Sequence, residues 1–199
     1  MEKNELEKTL MVIRNYIAKI SNFNDADWQF FSSRLTKRVI PKKSTFLKVG
    51  TVEDNISFII SGMVRLYIPE NDKSKEITFG FSFNEQFVSA YDSFLTRKPS
   101  LYELQALEDT TMLTISYENL QKVYQITTIG NLIGRLTAER LFLIKSKREQ
   151  TLLQNTAEER YLNIFKYQPE LIEKIPLKYI SSYIGVTPQA LSRIRKKIT

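Results

Sequence analysis

The side chains best suited to recognise another molecule lie near the C-terminus, in the stretch LKYISSYIGVTPQALSRIRKKI at 177–198. A helix that begins after Thr187 would carry polar and basic groups three and four residues apart, which places them on one side. Glutamine can form two hydrogen bonds with adenine, and arginine can do the same with guanine. The hydroxyl of Thr187 and the first N–H groups of such a helix suit a DNA phosphate. We predict DNA contacts from seven residues: Thr187, Gln189, Ser192, Arg193, Arg195, Lys196 and Lys197.

The apolar residues of the same stretch indicate how that helix is held. Gly185 suits a tight turn that needs a positive φ. Thr187 is a suitable N-cap, and Pro188 follows at the first helical position, where its missing N–H costs nothing. The residues expected to face inward are Ile180, Ile184, Val186, Leu191 and Ile194. This spacing is typical of a helix-turn-helix, whose second helix enters the major groove of DNA.

The excess positive charge is confined to the same end of the chain. Residues 140–199 hold 12 Lys and Arg against 5 Asp and Glu, whereas residues 1–139 hold 17 of each sign. The net charge of +7 therefore lies entirely in the last third. Such a distribution favours a polyanionic partner, because neutralising phosphates releases counterions. A basic surface that is merely solvated is the alternative for charge considered alone.

Most familiar catalytic machinery is excluded by composition. The 199 residues include no Cys and no His, so thiolate metal sites, thiol nucleophiles, imidazole bases and His-ligated haem are absent. Asp92, Glu103 and Glu108 are carboxylates without a catalytic spacing. We expect no enzymatic activity, no metal and no cofactor. No apolar run approaches the roughly 18 residues that span a bilayer, and no signal peptide opens the chain, so we expect a cytoplasmic protein without membrane contact.

Hydrophobic patterns predict an α+β chain with three parts. Residues 5–20 read as an amphipathic helix, and from Arg38 onward short β-branched and aromatic segments alternate with turns, the clearest at 61–63 and 69–75. After Ser116 the pattern is helical. We predict N-terminal helices and a β-barrel or jelly roll over 1–125, a long helix over 126–153 and a helix-turn-helix domain over 154–199.

The long helix carries an apolar stripe. Its members are Ile129, Leu132, Leu136 and Leu143, which follow a three-, four- and seven-residue spacing. A helix of about 25 residues is ~37 Å long, which exceeds what one small barrel can cover. We favour a seam between two copies of the chain over packing within one copy, because an uncovered apolar stripe is costly.

Three segments carry a family resemblance. SGMVRLY at 61–67 resembles a strand–glycine–strand signature, LTISYENLQKV at 113–123 a barrel exit, and GVTPQALSRI at 185–194 a recognition helix. Together, over roughly residues 20–198, they resemble the CRP/FNR family of bacterial transcription regulators. TAEERYL and TPQALSRIRKK further resemble a Bacteroidetes-type subgroup. The resemblance implies a cyclic-nucleotide-binding-type β-barrel, a dimerisation helix and a C-terminal helix-turn-helix that binds double-stranded DNA as a homodimer.

The family's phosphate-binding cassette is altered in this chain. FVSAYDSFLTRKPSLYEL at 87–104 aligns with it, but Ser89-Ala90 replaces the Gly-Glu pair and Ser100-Leu101 replaces the Arg-Ser pair. Losing a charged hydrogen bond to phosphate costs ~1.5–3 kcal/mol, so we expect no tight binding of cyclic AMP. The candidate pocket residues are Ser89, Ala90, Tyr91, Arg97, Ser100, Leu101 and Tyr102. The aromatic residues Tyr91, Phe94 and Tyr102 either line a site for another small molecule or fill the barrel core.

The sequence features and the resemblance suggest two functions from different classes. The first is a homodimeric transcription regulator that reads pseudo-palindromic operators; the resemblance also implies RNA polymerase as a partner and a small-molecule effector. The second is a small-molecule-sensing or protein-docking module that has lost specific DNA binding, an alternative suggested by the neutral N-terminal part. A steep salt dependence of DNA affinity, together with a dimer in solution, distinguishes the first from the second.

Overall fold

The computed structural model describes residues 2–19, 22–72, 75–167 and 169–198. Residue 20 of the predicted first helix and residues 73 and 74 of the predicted turn at 69–75 lie outside these ranges. No helix in the described ranges is long and apolar enough to cross a membrane.

The strands form where β-branched and aromatic residues are frequent, as their preference for a pleated, half-buried surface predicts. Their bounds are β1 Thr36–Ile40, β2 Thr45–Leu47, β3 Asn55–Ser61, β4 Val64–Ile68, β5 Ile77–Ser82, β6 Phe87–Val88, β7 Glu103–Ala106 and β8 Thr110–Ser116. They make two four-stranded sheets, of order β1-β8-β3-β6 and β2-β7-β4-β5. The β1–β8 pair is antiparallel, with Thr36 opposite Thr114 and Ile40 opposite Thr110.

The two sheets share one apolar interior. Ile40 of β1 and Ile59 of β3 belong to the same buried cluster as Leu47 of β2 and Leu104 of β7. Side chains from both sheets therefore meet face to face, as in a sandwich. At the turn between β3 and β4, Gly62 has a φ of +116°, and a Cβ there would lie 2.6 Å from the Cα of Thr110. The antiparallel pairing, the two sheets and their shared interior confirm the predicted jelly roll.

Along the chain, the helices come before, between and after the strands. Their bounds are α1 Glu2–Ala18, α2 Asp25–Ser32, α3 Tyr91–Thr96, α4 Tyr117–Ile126, α5 Gly130–Gln154, α6 Ala157–Tyr167, α7 Pro169–Lys174, α8 Leu177–Tyr183 and α9 Pro188–Ile198. The order of a jelly-roll domain, a long helix and C-terminal helices confirms the predicted α+β class. Helix α1 buries Ile13 and Ile17 in a second apolar cluster that includes Phe58 of β3.

Local signals explain where several helices begin. Asn24 caps α2 by accepting a hydrogen bond from the N–H of Asp27 at 2.7 Å. Thr156 and Glu159 form a capping box before α6, in which each side chain accepts the other's N–H. Pro169 opens a further short helix, α7, which the sequence did not predict. Proline suits a first helical position as well as a helix end.

The chain divides into two compact units. One comprises Met1–Leu66 and Phe81–Ala138, and the other comprises Tyr67–Gly80 and Glu139–Thr199. This division differs from the three predicted parts in two respects. The segment Tyr67–Gly80 groups with the C-terminal helices, and α5 is shared between the units instead of forming a part of its own.

Candidate nucleic-acid interface

A tight turn joins α8 to α9. Gly185 has a φ of +74°, in the left-handed region that favours glycine. The N–H of Gly185 donates to the carbonyl of Ser182 at 3.0 Å, and the N–H of Val186 donates to that of Ser181 at 2.9 Å. These bonds satisfy carbonyls at the C-terminus of α8, as helix-ending motifs do. The turn therefore lies where the glycine predicted it.

The inner side of the motif is apolar, as the spacing predicts. Ile180, Ile184 and Leu191 are buried, and Val186 and Ile194 are half-buried. Thr187 precedes α9 and accepts a hydrogen bond from the N–H of Ala190 at 3.2 Å. Such a cap stabilises a helix by ~1 kcal/mol and fixes where it begins. Helix α9 thus has one buried side and a defined N-terminus.

The outer side of α9 is polar and basic. All seven residues predicted to contact DNA are exposed: Thr187, Gln189, Ser192, Arg193, Arg195, Lys196 and Lys197. Between Pro188 and Ile198 there are four basic residues and no acidic one. The ammonium group of Lys197 lies 3.8 Å from a carboxylate oxygen of Glu158, an exposed pair that is weak in water. The arrangement presents positive charge and hydrogen-bonding side chains to solvent.

Two arginines hold the C-terminus of α8. Arg148 of α5 donates to the carbonyl of Tyr183 at 2.7 Å, and its guanidinium carbon lies 3.8 Å from the centre of the Tyr183 ring. Arg160 of α6 donates through Nε to the carbonyl of Ile184 at 2.8 Å. Burial lowers the pKa of Arg148. Sequence reasoning missed this role, because the partners of both arginines are backbone carbonyls.

The segment predicted to be an altered cassette, residues 87–104, is stabilised by hydrogen bonds within the chain. Ser89 donates to the carbonyl of Asn55 at 2.8 Å, and Ser100 donates to the carbonyl of Tyr102 at 2.7 Å. Ala90 and Ser100 are buried. Leu101 is 74% exposed, so it does not line an interior pocket, contrary to the prediction. Leu101 follows the buried Ser100 outside any strand, so no alternation of buried and exposed residues requires its side chain to face inward.

A buried carboxylate lies beside the cassette. Glu53 accepts the N–H of Asn55 at 2.9 Å, and its other oxygen lies 3.5 Å from the N–H of Ala90. Burial raises the pKa of Glu53, and the hydrogen bonds from the N–H groups of Asn55 and Ala90 oppose that shift in part, as does the attraction of Arg38. Sequence reasoning did not include Glu53, since a single Glu at the start of a strand is usually solvated. Its charge, when ionised, disfavours an anion at this place.

Arg97 and the aromatic rings of this segment already have partners. Arg97 donates to a carboxylate oxygen of Asp54 at 2.6 Å and to the carbonyl of Glu53 at 2.9 Å. Phe94 is buried, with its ring centroid 6.4 Å from that of Tyr91. The hydroxyl of Tyr102 donates to Asp92 at 2.6 Å; its burial and this bond raise the pKa of Tyr102. In this conformation Phe94 fills the core instead of lining an open site.

The apolar stripe predicted to form the dimer seam is only partly exposed. Ile129 is 5% exposed and belongs to the core cluster with Ile13 and Phe31. It precedes the helix, which begins at Gly130, so it is a core residue and not a seam residue. Leu132 and Leu136 are half-buried. Leu143 is 66% exposed, and the other large exposed apolar residues of α5 are Phe142, Ile144, Leu152 and Leu153.

Comparison with known proteins identifies the fold. Residues 37–127 match the family model of the cyclic nucleotide-binding domain. The c-di-GMP-responsive global regulator CLP of Xanthomonas campestris has a similar structure, with a TM-score of 0.67, at 18% identity over 88% of this chain and 91% of that chain. The chain has the fold of the CRP/FNR regulators.

Two further structures support this fold. FixK2 from Bradyrhizobium japonicum matches with a TM-score of 0.68 at 15% identity, over 82% of this chain and 84% of that one. A transcriptional regulator of the CRP/FNR family from Eubacterium rectale matches with a TM-score of 0.64 at 18% identity, over 87% and 82%. No curated protein matches the chain significantly by sequence.

Proposed function

We propose that this chain is a sequence-specific DNA-binding transcription regulator that acts as a homodimer on pseudo-palindromic operators. The observation that carries the proposal is α9, which exposes Gln189, Ser192 and Arg193 on its outer side and buries Leu191 on the other. In the major groove this helix would offer Arg193 to guanine and Gln189 to adenine. Lys196 and Lys197 would neutralise phosphates without reading sequence.

The homodimer is supported by the exposed apolar residues of α5. Phe142 and Leu153 are 70% and 80% exposed. They are eleven residues apart, about three turns, and therefore lie on the same side of the helix. Leu143 follows Phe142 and lies about 100° around the helix from it. A second copy related by a two-fold axis would cover both helices at once and would place two reading helices on one operator.

The cassette is proposed to bind cyclic AMP weakly at best. Ser89-Ala90 and Ser100-Leu101 supply neither a ribose-binding carboxylate nor a guanidinium for phosphate. The nearby guanidinium, that of Arg97, is paired with Asp54. Glu53 adds a buried carboxylate beside Ala90. A cyclic phosphate would have to displace these contacts, and like charges in a buried place repel strongly.

The proposal is tested by selecting genomic DNA fragments with the purified protein at two salt concentrations. We expect enrichment of a pseudo-palindrome whose half-sites lie about one helical turn apart. Arg193→Ala should relax selection at one base pair in each half-site, at a cost of ~1–3 kcal/mol. Lys197→Ala is the matched control, because it should weaken every site equally and lower the salt slope by about 1.

Unchanged selectivity in Arg193→Ala would exclude that residue as a reader. No enrichment by the wild type at either salt concentration, in buffer or with cell extract, would contradict the proposal. A shallow salt dependence without a dimer would instead identify the sensing or protein-docking module.

A further inference from the structure

Arg160 joins the ends of two helices. Its Nη1 donates to the carbonyl of Asn155 at 2.6 Å and to that of Leu152 at 3.4 Å, at the C-terminal end of α5. Its Nε donates to the carbonyl of Ile184 at 2.8 Å, at the C-terminal end of α8. One half-buried side chain of α6 therefore satisfies carbonyls from both helices.

The chemistry of this junction requires arginine. The last carbonyls of a helix have no intrahelical partner and carry partial negative charge, so a cation between two such ends is favourable. A guanidinium is planar and donates in several fixed directions, whereas an ammonium group is a compact point charge on a flexible stem. Lysine at this position would keep the charge but would not hold carbonyls of two helices in one geometry.

A second arginine extends the same junction. Arg148 projects from α5 itself and donates to the carbonyl of Tyr183, the residue before Ile184. Two successive carbonyls at the end of α8 are thus bound by two different arginines. Only the short turn containing Gly185 separates them from Thr187, the N-cap of α9. A constraint on the end of α8 is therefore also a constraint on the start of α9.

We propose that Arg160 is a positioning residue for DNA reading. It holds α9 in a fixed orientation relative to α5. The inference rests on the proposed function, because it needs a dimer joined through α5 that reads two half-sites. In such a dimer the angle between α5 and α9 sets the distance between the two reading helices. Inserting one base pair between half-sites moves them ~3.4 Å apart along the helix axis and rotates one relative to the other. A rigid junction rejects that change, and a loosened junction tolerates it.

The experiment measures affinity for a set of operators that differ only in half-site spacing. The set contains the selected operator and versions with one base pair inserted or deleted between the half-sites, together with a single half-site. The proteins are the wild type, Arg160→Lys, Arg160→Gln and Lys166→Gln. Lys166 is the matched control, since it is an exposed cation of the same helix that lies over the Tyr167 ring.

We expect the wild type and Lys166→Gln to prefer the selected spacing by tenfold or more. Both Arg160 variants should reduce that preference to about threefold or less while binding the single half-site as the wild type does. A purely structural role would lower affinity for every operator by the same factor, which would overturn the proposal. If Arg160→Gln does not fold, Arg160→Lys decides, because it retains the charge between the helix ends. A wild type that selects no palindrome contradicts the proposed function instead, so the two failures are distinguishable.

Discussion

Replacing Leu143 by serine should dissociate the proposed dimer without unfolding the protomer. Leu143 lies on α5 and is 66% exposed in one protomer, so the change removes apolar surface that the protomer itself leaves in water. The folded protomer should therefore keep its stability within about 0.5 kcal/mol, as surface substitutions usually do.

The size of the effect follows from the exposed area. Complete burial of a leucine side chain stabilises by roughly 1.5–3 kcal/mol, so covering the exposed two-thirds of Leu143 contributes about 1–2 kcal/mol per copy. Two-fold symmetry doubles this to about 2–4 kcal/mol, which is a roughly 30- to 1,000-fold weaker dimer.

The assay is sedimentation velocity over a concentration series, with circular dichroism to follow folding. Leu101→Ser is the matched control, because it is the same substitution at a residue that is 74% exposed and lies outside α5. We expect the control to associate as the wild type does. An equal dimer dissociation constant for Leu143→Ser and the wild type would refute the seam, and so would a wild type that stays monomeric throughout the series.

Two further predictions concern Glu53 and Thr187. Burial raises the pKa of the Glu53 carboxyl, so the folded state binds its proton more tightly than the unfolded state, and the free energy of unfolding falls as pH rises through the folded pKa. Glu53→Gln should therefore gain stability relative to the wild type as pH rises above the ordinary pKa of a glutamate in urea titrations, and a constant difference would show that the carboxyl is solvated. Thr187→Ala should destabilise the helix-turn-helix by ~1 kcal/mol, because the N-cap of α9 is lost. It should also weaken DNA binding equally at cognate and scrambled sites, as measured by fluorescence anisotropy. A loss of affinity confined to cognate DNA would contradict a phosphate contact.

The turn between α8 and α9 and the start of α9 could be predicted from sequence because their determinants are local. Gly185, Thr187 and Pro188 encode the turn and the start of α9 through their own backbone preferences. Hydrophobic periodicity then decides which side is buried, as the buried Leu191 and the exposed Arg193 show. The jelly roll followed by helices was likewise readable from the change between the two periodicities.

The dimer stripe was harder to predict because periodicity cannot say what covers an apolar residue. Ile129 fits the spacing of the stripe, yet it packs in the core with residues more than a hundred positions earlier, such as Ile13. Leu143 fits the same spacing and is exposed. Apolar spacing alone does not distinguish burial within one protomer from burial between two.

The sequence by itself determined the order of strands, long helix and C-terminal helices, the turn at Gly185, the basic outer side of α9 and the uncharged pairs Ser89-Ala90 and Ser100-Leu101, because these follow from residue type and short-range spacing. Only the tertiary structure decided the roles of Glu53, Arg148 and Arg160. Their partners are backbone groups or belong to distant segments, and a backbone carbonyl has no signature in the sequence. Which charge is solvated and which one holds two helices together is therefore decided by the fold.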